Sequence, residues 1–332
     1  MSDRQTERQT VVNDLVRIDP AADVVALANL DQHARDARGA YSTNTDRALR
    51  ADVVIFTRWC SDKGATSLPA FPEAVAAFVD DMGESKAPAT IRRYVSSVAT
   101  FHRAAKLASP TESTEVKLAL KRLHRAKGRA QAQAAGLTRG IVDRILEVPG
   151  TGVRSLRNRA LLAVAYDTLC RRSELVSLMR ADVERGPAGD GTATVRRSKT
   201  DQEGVGSVRY LAPDTMGMLD AWLAVIPPGD GFLFRTVTKG GAIGGSIDAG
   251  DVAIVFKQMA RAAGLSPEEA ARISGHSTRV GAATDMVRLG IGLPSVMQAG
   301  GWKTAEMVGR YTKRLDARKG GAAKLAALQE RA

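Results

Sequence analysis

Two cysteines, Cys60 and Cys170, and four histidines are the only Cys and His side chains in this 332-residue chain. They are scattered, so no Cys/His zinc site can be assembled at ligand spacing, and no metal is expected. The cysteines lie far apart within helical patterns and read as buried free thiols of a cytosolic protein. No run of about 18 apolar residues occurs, so no membrane span is expected. The opening MSDRQTERQT is charged and polar with no apolar stretch behind it, which gives no expectation of a secretory leader. A nucleotide-cradling glycine loop is also missing, as is the strand–turn–helix elbow of a serine hydrolase. No cofactor is expected.

What the chain has in excess is positive charge. Lysine and arginine number 48 against 36 aspartates and glutamates, a formal net charge of +12. That imbalance points to a polyanionic partner, and to nucleic acid before a membrane, because no polybasic segment adjoins an amphipathic anchor. Hydrophobic residues at 44% and charged residues at 25% are ordinary for a globular protein, and the length suggests two domains.

The spacing of apolar residues divides the chain. Residues 1–22 carry little periodicity and read as a flexible tail. Over 23–128 the pattern is helical throughout. TNTDRALRADVVIFTRWCSDKG predicts a helix capped by Thr45, burying Val53, Val54, Phe56 and Trp59 and ending at Gly64. PEAVAAFVDDMGES predicts a second, and APATIRRYVSSVATFHRAAKLA a third with Ile91, Val95, Val98 and Phe101 inward. STEVKLALKRLHRAKGRAQA closes this half with a basic tail. Residues 129–136 are small and polar and read as an exposed linker. Beyond it, TRGIVDRILEV and LRNRALLAVAYDTLCRRSELVSLMRADV predict a helical hairpin. The period then changes: GTATVRRSKT and GSVRYLAP alternate around DQEGVG and predict a β-hairpin, to which GFLFRTV could add a third strand. The remainder returns to helix, ending in AAKLAALQ. The fold class is mainly α with a small β-sheet.

Four places put strong donors or nucleophiles where a helix built for packing would put leucine. In DTLCRRSELVSL, Arg171, Arg172 and Glu174 interrupt an apolar stripe. On that motif alone a surface ion pair is the simpler reading; the alternative is an arginine fork held by Glu174 to grip a phosphate. Lys199 falls in the hairpin turn, where it is either solvated or a general acid on a flexible stem. His276 and Arg279 in GHSTRVGAATDMVRLGIGLPSVMQAGGW share a helix face three residues apart, at a helix start that favours anions. The small residues Gly275, Gly281, Ala282 and Ala283 around them allow a close approach by something bulky. Trp302 adds an indole N–H, a donor only. Tyr311 in EMVGRYTKRLD is the fourth, a phenol among basic residues.

Taken together they fit one reaction. Two arginines and an indole neutralise charge growing on a non-bridging phosphate oxygen. Tyr311 attacks the phosphodiester, His276 moves the proton, and Lys199 protonates the leaving 5′-oxygen.

In the order Arg…Lys…His-x-x-Arg…Trp…Tyr, and over most of residues 40–320, the chain resembles the tyrosine recombinase (phage integrase) family. The resemblance implies that Arg171 and Arg279 clamp the scissile phosphate, with Trp302 in the position that contacts it. His276 would be the general acid/base, Lys199 the general acid, and Tyr311 the nucleophile that forms a 3′-phosphotyrosine. Glu174 would support Arg171. It further implies an all-helical, SAM-like core-binding domain over 23–128 and a mixed α/β catalytic domain over 137–332, closing on DNA as a C-shaped clamp. The final helix would dock into a neighbouring protomer, giving a homotetramer on two double-stranded inverted-repeat sites. Exchange would pass through a Holliday junction without ATP, metal or accessory proteins, in a bacterial or phage-derived, nucleoid-associated and cytoplasmic setting.

Two departures bear on target choice. Ala89 stands where a member of the family has a catalytically relevant lysine, and the helix IDAGDVAIVFKQM has Gly250 and Ala253 where that member reads bases. Candidate DNA contacts are Arg47, Arg92, Arg93 and Lys239, the first three on helices that would enter the major groove. Two other readings share these residues: a monomeric type IB topoisomerase-like enzyme, and a DNA-binding protein with an inactive site.

Overall fold

Ser42, not Thr45, opens the first long helix: its hydroxyl accepts the Thr45 N–H at 3.2 Å. The structure is a computed structural model that describes residues 23–129, 133–198, 205–311 and 320–331. It divides into two compact units, Met1–Ala132 and Gln133–Ala332. The expected tail, residues 1–22, lies outside the described residues.

The first unit contains α1 (Asp23–Asp36), α2 (Thr43–Asp62), α3 (Pro72–Ser85), α4 (Pro88–Ala104) and α5 (Thr114–Lys127). Proline stands at the first position of α3 and of α4, where a missing N–H costs nothing. Ser113 caps α5 through the Val116 N–H. The apolar stripes of α2 to α5 meet in a core that includes Phe56, Val75, Phe78, Ile91, Val98 and Val116. Phe56 and Phe78 pack edge to face at 5.2 Å. Phe101, expected inward, is half-buried in a satellite cluster with Leu68 and Ala105. A carboxylate interrupts the stripe of α2. Asp52 is buried and accepts from Arg93 Nε and Nη2 and from Ser97 Oγ, at 2.8–2.9 Å.

The second unit begins with α6 (Arg139–Glu147) and α7 (Val153–Thr168). The predicted helix over 156–183 is not continuous. Thr168 turns its hydroxyl back to the Val164 carbonyl at 2.6 Å, and Leu169 adopts a left-handed conformation with φ 51°. The chain restarts as the short α8 (Arg172–Ser177). A helix cannot pass a left-handed residue, and no glycine announces this one.

Strands β1 (Val183–Arg185), β2 (Gly191–Val195) and β3 (Ser207–Leu211) form an antiparallel sheet in that order, with Thr192 opposite Tyr210. The hairpin of β2 and β3 is therefore present. The segment GFLFRTV does not extend it: β4 (Arg235–Val237) pairs separately with β5 (Ile243–Ser246). Helix α9 (Pro213–Leu223) follows β3. Then come α10 (Asp251–Ala262), α11 (Pro267–Ala271), α12 (Ser277–Arg288) and α13 (Leu293–Gly300), a helical stretch over 305–311, and α14 (Gly321–Leu328). Leu161, Leu162, Leu219, Trp222, Phe234 and Phe256 are among the residues of the main core. The buried Trp222 indole donates to the Leu233 carbonyl at 2.8 Å. Among the described residues no helix is long and apolar enough to cross a membrane.

Candidate active site

His276 is the residue before α12, not the first of its turns. Its N–H is held by Ser274 Oγ at 3.1 Å, and Ser277 Oγ accepts the Ser274 N–H at 2.9 Å, so this short turn fixes where the imidazole starts. Helix α12 then presses on the chain's own backbone. A Cβ at Gly281 would lie 1.8 Å from the Leu137 carbonyl oxygen, and one at Gly275 would lie 3.2 Å from Arg172 Cβ. The bulky neighbour that the small residues admit is thus the segment around Leu137, whose N–H pairs with the Ser277 carbonyl at 2.9 Å.

Arg279 is 1% exposed. One Nη donates to the carbonyl of Leu169, which the left-handed turn presents, and the other donates to the Gly300 carbonyl at 2.5 Å. Its guanidinium lies 4.3 Å from the centre of the Trp302 ring, a cation–π contact. Nε is buried without a hydrogen-bond partner, and among the described residues no carboxylate pairs with this cation. Burial, and then the charge of Arg171, lowers its pKa to about 10. A buried cation with an unspent donor and, among the described residues, no carboxylate bonded to it is set up to receive an anion.

Arg171 and Glu174 are an ion pair, but not a surface one. Glu174 is 4% exposed; its carboxylate accepts the Arg171 side chain at 2.6 Å and the Arg171 N–H, at the start of α8, at 2.8 Å. Both ends of Arg171 are fixed by one carboxylate, and the positive charge of Arg171 acts on both His276 and Arg279.

Tyr311, in the helical stretch 305–311, places its hydroxyl 2.8 Å from His276 Nε2. Its ring is 5.6 Å from that of Trp302. Burial, followed by the charges of Arg279 and Arg171, lowers the His276 pKa to about 4. At neutral pH the imidazole is therefore uncharged, and Nε2 can accept the phenol proton. Beneath these groups lies a small core of Leu169, Ala282, Ala283, Val296, Trp302 and Val308. Gly300 leaves room for it, since a Cβ there would come 2.0 Å from the Trp302 ring. The left-handed Leu169 and the packing of Gly300 carry no sequence signal of their own beyond a lone GG pair before Trp302.

Of the expected site residues, the fold brings Arg171, Glu174, His276, Arg279, Trp302 and Tyr311 to one place. Lys199 lies outside the described residues. Lys239 is exposed in the turn between β4 and β5. Arg47 on α2 and Arg92 on α4 are exposed in the first unit, and Arg93 is tied to Asp52 through two of its donors. Ala89 is half-buried in the first turn of α4. Among the described residues no three His, Cys, Asp or Glu side chains converge as a metal site.

Known proteins of similar sequence and fold point to one family. Residues 136–318 match the phage integrase family. The chain is 29% identical to Recombinase cre of Escherichia phage P1, over 93% of its own length and 94% of that protein. It is 28% identical to an integrase/recombinase xerD homolog of Selenomonas ruminantium, over 81% of each. Among solved structures, the Tn1549 transposon integrase in complex with a circular intermediate DNA superposes with a TM-score of 0.61 at 14% identity, covering 88% of this chain and 99% of that one. A lambda integrase tetramer bound to a Holliday junction gives 0.60 at 16% identity, covering 86% and 76%. The mainly helical fold with small sheets is shared with them. A buried arginine facing an indole, a histidine bonded to a tyrosine, and the matched residues together lead to one assignment: the chain belongs to the phage integrase family and is a tyrosine-type site-specific DNA recombinase.

Proposed function

We propose that this recombinase cuts and rejoins double-stranded DNA at paired inverted-repeat sites, through a 3′-phosphotyrosine on Tyr311 and a Holliday-junction intermediate. The observation that carries the proposal is the 2.8 Å contact between Tyr311 Oη and a neutral His276, beside the buried cation Arg279, whose Nε has no hydrogen-bond partner among the described residues. Tyr311 Oη forms a bond to phosphorus while the bond from phosphorus to the 5′-oxygen breaks. His276 takes the phenol proton, and Lys199 gives a proton to the leaving oxygen. Arg279 and Arg171 hold the non-bridging oxygens, whose charge grows in the transition state, and the Trp302 indole N–H adds a donor. Glu174 keeps Arg171 in place. Rejoining is the same path reversed, with the 5′-hydroxyl of a second duplex attacking the phosphotyrosine. Each step trades one phosphodiester bond for another, so no ATP is called for.

Arg47, Arg92 and Lys239 would contact DNA from exposed positions, and Arg93 would do so from a fork steadied by Asp52. Exchange between two duplexes needs four protomers. Support for assembly comes from α14, which exposes Leu325 and Leu328, and from a cavity of about 190 Å³ that includes Tyr166, Tyr210, Met286 and Leu289 in its lining. The helix of one copy would seat its leucines in the cavity of the next. Reaction on genomic or phage DNA would place the enzyme at the nucleoid of a bacterial cytoplasm.

The test is covalent capture. Purified protein is incubated without metal with fragmented source DNA and nicked duplexes, denatured in SDS, and the linked DNA sequenced beside Tyr311→Phe. Adducts focused on one inverted repeat, and absent with Tyr311→Phe, are expected. Scattered adducts would indicate a topoisomerase-like enzyme, and tight binding with no adduct an inactive binder.

A further inference from the structure

Arg209 belongs to no part of the site described so far. It lies on β3, where Val208 and Tyr210 are each 57% exposed and Arg209 itself is 8% exposed, so the strand turns this cation inward. Its Nη1 donates to the Gln298 carbonyl at 2.8 Å and also to the Ala299 carbonyl. These belong to the last turn of α13, whose carbonyls carry its negative end; the Gln298 carbonyl also accepts the Gly301 N–H at 3.2 Å. The next carbonyl, Gly300, is the one that accepts Arg279 Nη2 at 2.5 Å. Two arginines from separate elements thus divide three consecutive carbonyls. Directly after them come Gly301, left-handed at φ 60°, and Trp302. A Cβ on Gly301 would lie 2.7 Å from Arg209 Nη2, so the guanidinium fills the space that this glycine leaves. Among the described residues no carboxylate pairs with Arg209, and its charge also reaches Arg279.

We propose that Arg209 is a positioning residue for strand cleavage: it clamps the C-terminal carbonyls of α13 so that the Gly300 carbonyl and the Trp302 ring stay seated on Arg279. It does not touch the phosphate; it acts through Trp302 and Arg279. The inference rests on the recombinase reading of that site. Arginine suits the place because one planar, permanently charged group can serve two carbonyls, whereas lysine offers a point charge on a flexible stem and methionine no donor.

Two readouts test it, both on the full chain. In single-turnover adduct formation on the nicked duplex pool used for capture, Arg209→Met is expected to be ~10²-fold slower, with duplex affinity within about threefold of wild type. Arg209→Lys should recover part of the rate. Gly301→Ala, which keeps the arginine and its charge but displaces its tip, should be slow as well. The second readout does not need activity. Labelled with 5-fluorotryptophan, the protein has three resonances, from Trp59, Trp222 and Trp302. Arg209→Met and Gly301→Ala should each move the Trp302 signal, assigned with Trp302→Phe, and leave the other two in place. Should Arg209→Met fail to fold, Arg209→Lys and Gly301→Ala decide through the same two measurements. An unmoved Trp302 resonance in a folded variant overturns the clamp, as does cleavage at the wild-type rate. A wild-type protein that forms no adduct, but whose Trp302 signal moves as expected, counts against the recombinase chemistry and leaves the clamp standing.

Discussion

His276 and Tyr311, 35 residues apart in the chain, meet through a 2.8 Å hydrogen bond between Nε2 and Oη. The histidine stands at the entry to α12 and the tyrosine in the stretch 305–311, with the centres of the Trp302 and Tyr311 rings 5.6 Å apart. The proposed nucleophile and its proposed base are thus already hydrogen-bonded to each other. The proton path is then set by which of the two is charged, and that makes it measurable.

His276 in the DNA-free protein should titrate at about 4, chiefly because it is buried and then because Arg279 and Arg171 are close. Histidine NMR with His276→Gln for assignment checks this. A folded-state value below the unfolded one of about 6.5 means that the folded protein binds fewer protons. Its stability contribution is therefore present above pH ~6.5 and lost as pH falls towards the folded value. His102 acts in the same direction: it is buried, its Nε2 accepts the Ala70 N–H at 2.9 Å, and burial lowers its pKa. Urea midpoints should decline below neutrality, and less steeply in His276→Gln; a rise on acidification would contradict both assignments.

Gly300→Ala should abolish most cleavage. The added methyl would sit 2.0 Å from the Trp302 ring, which cannot yield without leaving Arg279 and the small core beneath the site. The expected costs are ~10²-fold in adduct rate and about 1–3 kcal/mol in stability, read by single-turnover capture and denaturant melts.

Gly281→Ala and Gly217→Ala should move stability in opposite directions, although both glycines are helical. At Gly281 the methyl would meet the Leu137 backbone at 1.8 Å, and backbone cannot rotate away; a loss of at least about 1–3 kcal/mol is expected. At Gly217 nothing lies within 4 Å, so alanine should gain about 0.5–1 kcal/mol. Equal melting temperatures for the two variants would count against the close contact of α12 with Leu137.

Asp52→Ala should destabilise the first unit and loosen Arg93. Asp52 is 1% exposed and accepts three hydrogen bonds, and its loss leaves Ser97 without its acceptor and Arg93 without its fork partner. A cost of about 1–3 kcal/mol is expected. Arg92→Ala, at an exposed position, should change folding stability by less than about 0.5 kcal/mol and lower the slope of log affinity against log salt by about 1. Equal effects of Asp52→Ala and Arg92→Ala on melting would remove the structural role given to Asp52.

Much of the fold was legible because helices and strands announce themselves locally. The stripes of α3, α4 and α5 and the alternation of β2 and β3 need only neighbours a few residues away. Ser42 and Thr45 are both cap-forming residues three apart, so sequence alone does not separate them, and only the backbone shows which hydroxyl accepts. GFLFRTV is strand-like, yet which strand it joins depends on β5, a glycine-containing segment with no alternation.

From the sequence alone came the proposed cast, Arg171, Lys199, His276, Arg279, Trp302 and Tyr311, in an order and of a chemical type that suits phosphoryl transfer; Lys199 lies outside the described residues. Residue type and order are properties of the chain. The tertiary structure alone decided how they meet. The left-handed turn at Leu169 breaks an otherwise continuous helical pattern and delivers a carbonyl to Arg279, 110 residues away. Gly281 and Gly300 are small for the sake of Leu137 and Trp302, and Arg209 reaches α13 from a strand about 90 residues earlier. Such contacts join residues remote in sequence, and their geometry follows from close packing of whole elements, which no local pattern encodes.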